Sequence, residues 1–315
     1  LRAHPKWIDI LATENINLNV LFHIYDEEHK QIDANVLAEQ FESRKDAIKI
    51  FTAYNSIMKT AENIDLSAPK ESMYKNMYES ILKGAGYYED IPEDFKEEYP
   101  DLFLSQDAPE ELRELLCNRE LTPEKLLEHP EWVNVLVEEN INLNLIFKLR
   151  DANNKYIDIE TIINEFDSKE DALNALVVYS NIRNSNTIPH FENVKEEMYF
   201  EIYEGILNGA KYLEDMPEDF KKEHPGLFLS EDAPEKLREL LCSRQLTYTK
   251  LLRHPEWINS LAEENIDLNL IFKLRDANNK YINIETIVNE FDSREDAIKY
   301  IAMYKQMNCH SSDMT

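Results

Sequence analysis

The chain has 315 residues, 43% of them hydrophobic and 30% charged, with a formal net charge of −28 at pH 7. That apolar share can bury a large core, so the charge reads as a solvated surface and not as disorder. The acidity argues against DNA or RNA, whose affinity comes mostly from Lys and Arg neutralising phosphates, and equally against docking on anionic lipid. Two readings of the surface remain, simple solubility and attraction of basic proteins or peptides.

His-Pro-x-Trp occurs three times, as His4-Pro5-Lys6-Trp7, His129-Pro130-Glu131-Trp132 and His254-Pro255-Glu256-Trp257, and these hold the only three Trp. The spacing is constant (129 − 4 = 125 and 254 − 129 = 125), so a tandem unit of 125 residues replaces the usual domain count. The units divide as 1–121, 122–246 and 247–315, with the first starting and the last ending in mid-unit. Leu1 is in phase with Leu126 and Leu251, part-way through a helix, and no initiator Met precedes it, which reads as a piece of a longer chain.

In the middle unit Thr122-Pro123-Glu124-Lys125 opens a helix, with Thr as N-cap and Pro at the first helical position, where its missing N–H costs nothing. Pro130 breaks that helix at His129 and starts another, carrying Trp132, Val135 and Leu136 on one face. The stretch 140–150 alternates apolar and polar residues over part of its length, yet helix is the expectation: Asn142 is a cap, and Leu145, Ile146 and Leu149 share a face. A lone strand in a helical chain would have no partner. With only 5 Gly against an average usage of roughly 7%, hairpins are not expected.

Residues 151–156 read as a loop, after which Asp158 caps a helix over 159–166; Asp33 and Asn283 stand at the matching positions. Ser168-Lys169-Glu170-Asp171 starts the next helix with a hydroxyl at the N-cap and an acid at N3, as do Ser43-Arg44-Lys45-Asp46 and Ser293-Arg294-Glu295-Asp296. The segment 184–191, with Pro189, is unlike its counterpart 61–68, as a surface loop permits. A long helix spans 193–212, and Met216-Pro217-Glu218-Asp219 and Asp232-Ala233-Pro234-Glu235 open two more. The stretch from Pro92 to Pro100 resembles that from Pro123 to Pro130 at an offset of 30 to 31, about a quarter of 125, so each unit reads as four degenerate helix pairs. The expected fold is all-α, a tandem helical repeat or α-solenoid of about 2.5 units.

Motifs that carry chemistry are scarce. Positions 151–162 have an EF-hand flavour but place Tyr156 where the loop needs Gly and Ile162 where it needs Glu. The eight His are scattered without a zinc-like spacing, and His4, His129 and His254 sit at helix ends, where a ring can bond terminal carbonyls. Trp7, Trp132 and Trp257 read as core anchors, and Cys117 and Cys242, each in Leu-Leu-Cys, as packing residues. Those two Cys and Cys309 form no even disulfide framework, which favours a reducing compartment such as the cytoplasm. No apolar run approaches the roughly 18 residues of a membrane span. No phosphate loop or nucleophile elbow is present, and acid pairs such as Glu138-Glu139 and Glu263-Glu264 are expected from composition alone, so no cofactor and no catalytic residue is assigned.

Residues 148–156 and 273–281 are identical even at polar positions, which core packing does not require. Recent duplication explains this, with functional constraint as the other reading. The identity marks Arg150, Asp151, Asn153, Lys155 and Arg275, Asp276, Asn278, Lys280 as candidate binding residues. The leading expectation is an acidic helical-repeat scaffold for protein or peptide partners, with a spacer array second and an enzyme a distant third.

Overall fold

The computed structural model describes residues 1, 3–26, 28–58, 63–150, 154–182, 194–276, 278 and 280–309. Among them the chain is mostly helical, as its composition and capping residues predict. In chain order the first helices are α1 (Lys6–Thr13), α2 (Ala34–Ala38), α3 (Arg44–Ile57), α4 (Pro69–Leu82), α5 (Glu93–Glu98) and α6 (Glu110–Cys117). Then come α7 (Pro123–Glu128), α8 (Glu131–Glu138), α9 (Ile159–Ile163), α10 (Lys169–Ile182), α11 (Val194–Leu207), α12 (Glu218–Glu223) and α13 (Glu235–Cys242). The last are α14 (Tyr248–Arg253), α15 (Glu256–Glu263), α16 (Ile284–Val288) and α17 (Arg294–Cys309). Starts recur at a fixed interval: α1, α8 and α15 begin at 6, 131 and 256, and 131 − 6 = 256 − 131 = 125.

Two compact units can be distinguished, one made of Leu1–Thr122 with Asn134–Lys148, the other of Pro123–Val133 with Leu149–Thr315. In the first, α3 packs against α1, α2 and α4, burying Ile48, Phe51, Tyr54 and Ile57 with Met73, Met77 and Ile81. In the second, α10 packs against α7, α9 and α11, while α17 packs against α14, α15 and α16. Helix α10 is apolar nearly all round, with Leu173, Ala175, Leu176, Val177 and Val178 all buried, as a helix enclosed on several sides must be.

The helix starts follow the expected capping chemistry. Asp33, Asp158 and Asn283 each accept a backbone N–H at the start of α2, α9 and α16. Ser43 and Ser168 accept the N–H of Asp46 and Asp171 and donate back to the same carboxylates, at 2.5 and 2.8 Å. The ends are closed with little Gly. Asn15, Asn140, Asn265, Arg119 and Arg244 take positive φ after their helices, with Gly84 and Gly209 in the same role after α4 and α11. At α15 the N–H of Asn265 bonds Ala262 O and that of Ile266 bonds Leu261 O, the paired closure that satisfies two orphan carbonyls.

The helix expected in the stretch 140–150 does not form. Asn142 does cap, accepting the Asn144 N–H, but the structure is a single 3₁₀ turn, Leu143–Leu145. The counterparts Leu18–Val20 and Leu268–Leu270 behave alike and show the reason. Asn19 Oδ1 accepts the N–H of Ala34, the first residue of α2, at 2.7 Å, and Asn269 Oδ1 accepts that of Ile284 at 3.1 Å. The alternating Asn residues are a staple between a turn and the next helix, and continuing the first helix would break it.

Hairpins also form despite the lack of Gly. Strand β1 (Ile24–Asp26) pairs antiparallel with β2 (Gln31–Ile32) in the register Ile24 to Ile32, and parallel with β3 (Asn63–Ile64) in the register Tyr25 to Asn63. His29 and Asn154 supply the positive φ that a Gly would otherwise provide.

The Trp expectation holds for two copies and fails for one. Trp132 and Trp257 are 5% and 7% exposed, whereas Trp7 is 52% exposed. Each His ring stacks on its Trp at 4.1 to 4.4 Å between centroids, and the Nδ1 of His129 and His254 faces Glu131 and Glu256, a partner other than the helix-end carbonyls expected.

Candidate functional site

In each duplicated loop an Arg lies over a Tyr ring. Isolated bridges join Arg150 to Tyr156 and Arg275 to Tyr281, which brings each Arg beside its Tyr. The guanidinium carbon lies 3.8 Å from the Tyr156 centroid in one loop and 3.9 Å from the Tyr281 centroid in the other. Arg150 Nη1 also donates to Asn154 O at 2.7 Å. Both Tyr are exposed, as are Lys155, Asn278 and Lys280.

Asp276 has a structural role within this loop. Its Oδ1 accepts the N–H of Asn278 at 2.8 Å and of Lys280 at 2.9 Å, and Asp26 does the same with Glu28 and Lys30 in the first copy. A carboxylate turned onto its own backbone in this way is an Asx turn, which shapes the loop. Asp151 and Asn153 lie outside the described residues. Among the described residues no group of three or more His, Cys, Asp or Glu is placed to hold a metal.

Two further polar sets recur where sequence patterns pointed to neither. Tyr74 Oη donates to Asp94 Oδ1 at 2.8 Å while Lys70 pairs with the other oxygen, and Tyr199, Asp219 and Lys195 repeat the arrangement at 2.8 Å. Partial burial alone would raise the Asp94 carboxyl. The bonds from Lys70 and Tyr74 outweigh it and hold the group below the usual 3.8, and Asp219 is shifted in the same direction for the same reasons. Tyr74 and Tyr199 are pushed up, first by burial and then by the carboxylate each serves.

The other set is Glu, Arg and Cys. Arg113 Nη1 meets Glu89 Oε1 at 3.0 Å and Arg238 Nη1 meets Glu214 Oε1 at 2.8 Å. Cys117 lines a groove of about 460 Å³ with the first pair, and Cys242 one of about 620 Å³ with the second. Burial, and after it the neighbouring Glu89 or Glu214, pushes each thiol up to about 12. Such thiols are protonated at neutral pH and are poor nucleophiles, consistent with a packing role. One signal in the sequence marks both sets: the separations repeat, 94 − 74 = 219 − 199 = 20 and 113 − 89 = 238 − 214 = 24.

No described helix is long and apolar enough to cross a membrane. No protein-family model, no curated protein and no solved structure matches the chain.

Proposed function

We propose that the chain is an acidic helical-repeat scaffold, an α-solenoid with a 125-residue unit, that binds protein or peptide partners through its duplicated loops. The observation that carries this reading is the Arg stacked on an exposed Tyr, present with nearly the same geometry at 150/156 and at 275/281. Tyr and Arg are the residue types that most often dominate binding energy, and a stacked Arg has already lost part of its rotamer freedom before a partner arrives. Two equivalent loops on one chain allow a partner with two epitopes to gain avidity without new contacts. The formal charge of −28 favours a basic partner and speeds its encounter. The recurrence of helix starts at 125 residues supports the repeat reading.

A spacer that binds little is the second reading, and the Asp276 carboxylate, whose Oδ1 is bonded to its own loop backbone, favours it. A pull-down with the chain and with a Tyr156→Ala, Tyr281→Ala double variant separates the two. The scaffold reading expects proteins retained by the parent chain to be lost from the double variant and released by about 0.5 M salt, where the Debye length falls to a few ångströms. An identical set on both baits sinks it, and an empty set on both supports the spacer.

A further inference from the structure

Helix α7, the chain just after α11 and helix α13 line a groove of about 620 Å³. All of its lining residues belong to the middle repeat and to one compact unit. A second hollow of about 580 Å³ adjoins it along the end of α11 and shares Leu127, Asn181 and Lys211 with it. The groove combines an apolar lining, with Leu213 buried and Leu127 half-buried, and exposed carboxylates. Glu124 and Glu128 stand at i, i+4 on α7, and Glu235 and Glu239 at i, i+4 on α13.

Most of this charge is unanswered. Arg238 pairs with Glu214 at 2.8 Å and Lys236 with Glu239 at 2.7 Å, while Glu124, Glu128 and Glu235 make no ion pair among the described residues. Nor does the fold ask for the acids of α7. Glu128 ends that helix, where the dipole disfavours a negative charge, and it follows Glu124 by one turn, a like-charge spacing that weakens a helix. The matching helix α14 is built with Thr249 and Arg253 in those places, since 249 − 124 = 253 − 128 = 125. Side chains set against local preference mark positions shaped by something other than folding.

We propose that this groove docks a basic segment of a partner polypeptide, an apolar side chain with Lys or Arg on either side of it. The apolar side chain sits against Leu127 and Leu213, and the flanking cations face the Glu124 and Glu128 pair and the Glu235 and Glu239 pair. Complementary charge selects the partner and speeds its encounter, while burial of the apolar residue supplies affinity that charge in contact with water does not. A groove that joins apolar lining to a few convergent polar groups is the usual form of a binding site. The inference concerns a different surface from the duplicated loops, so either reading can fail alone.

The probe is a fluorescein-labelled peptide, Lys-Arg-Leu-Lys-Arg, titrated with the full chain at about 0.15 M salt and followed by fluorescence anisotropy. Saturable binding is expected, weakened at least about tenfold by Glu124→Gln with Glu128→Gln, and as much when Ser replaces the Leu of the peptide. Glu14→Gln with Glu39→Gln removes the same charge from exposed helix ends outside the groove and leaves binding within about twofold of the parent, because screening at that salt confines the attraction to about 8 Å. All four of these Glu are exposed, so circular dichroism of both variants should match the parent. No saturation by about 1 mM peptide overturns the proposal. An equal loss in the Glu14 and Glu39 variant also overturns it, since net charge is then the whole attraction. Undiminished binding of the Ser peptide does so too, because the apolar lining then plays no part.

Discussion

Asp94 and Asp219 show how a residue's environment decides its share of stability. Burial opposes their charge, but the Lys and Tyr partners hold each carboxyl below the usual 3.8 in the folded chain. A carboxyl depressed on folding contributes stability that is present above its unfolded pKa and is lost as pH falls through its folded pKa. Asp94→Asn should therefore lower the urea midpoint at about pH 7, where Lys70 and Tyr74 lose an ionised partner, and the gap to the parent should narrow as the pH falls below the usual 3.8 and through the depressed pKa of the folded chain. A gap that stays constant with pH would show that the ion pair carries none of it. Nothing in the local sequence pairs Asp94 with Tyr74, since 20 residues and a helix start lie between them. The Trp residues carry the opposite lesson. Three identical motifs predict three identical anchors, yet burial depends on what lies over the motif, and Trp7 is 52% exposed where Trp132 is 5%.

At the scale of elements, the helix ends are where this chain departs from common practice. Asn265 sits at φ 51 and closes α15, a conformation that costs an ordinary L residue about 1–2 kcal/mol and an Asn much less. Asn265→Ala should destabilise the chain by about 1 kcal/mol while Asn265→Gly stays within about 0.5 kcal/mol of the parent, read from chemical denaturation midpoints. An Ala variant as stable as the Gly variant would mean the closure is held by its neighbours and not by the Asn. Helix starts were legible because a cap acts within three residues of itself: Asp33, Asp158, Asn283 and the Ser caps all stand where expected. The stretch after Asn142 was not, because its Asn side chains act over a longer range. Asn19 reaches Ala34 across 15 residues, and in a linear reading such spacing resembles the alternation of a strand or the face of a helix. The hairpin over 24–32 was missed for a similar reason, since His29 does the work usually read from Gly.

For the whole molecule, charge sets a balance that a salt titration resolves. The ion pairs among the described residues are mostly solvent-exposed, as with Lys45 and Asp9 or Lys236 and Glu239. Pairs of that kind contribute about 0–1 kcal/mol each and weaken as salt rises. Against them stands a formal charge of −28, spread over a chain with 62 Asp and Glu against 34 Lys and Arg, so 62 − 34 = 28 carboxylates are left over even if every Lys and Arg is paired one to one. Self-repulsion of this size disfavours the compact state, and it acts over longer distances than a contact pair. At about 10 mM salt the Debye length is about 30 Å and most of that repulsion is felt; at about 0.15 M it is about 8 Å, which removes the long-range part first and leaves pairs in contact largely intact. The thermal midpoint should therefore rise with sodium chloride over that range, measured by circular dichroism at neutral pH. A midpoint that falls instead would mean that networks of contact pairs, and not the net charge, govern the stability of the fold.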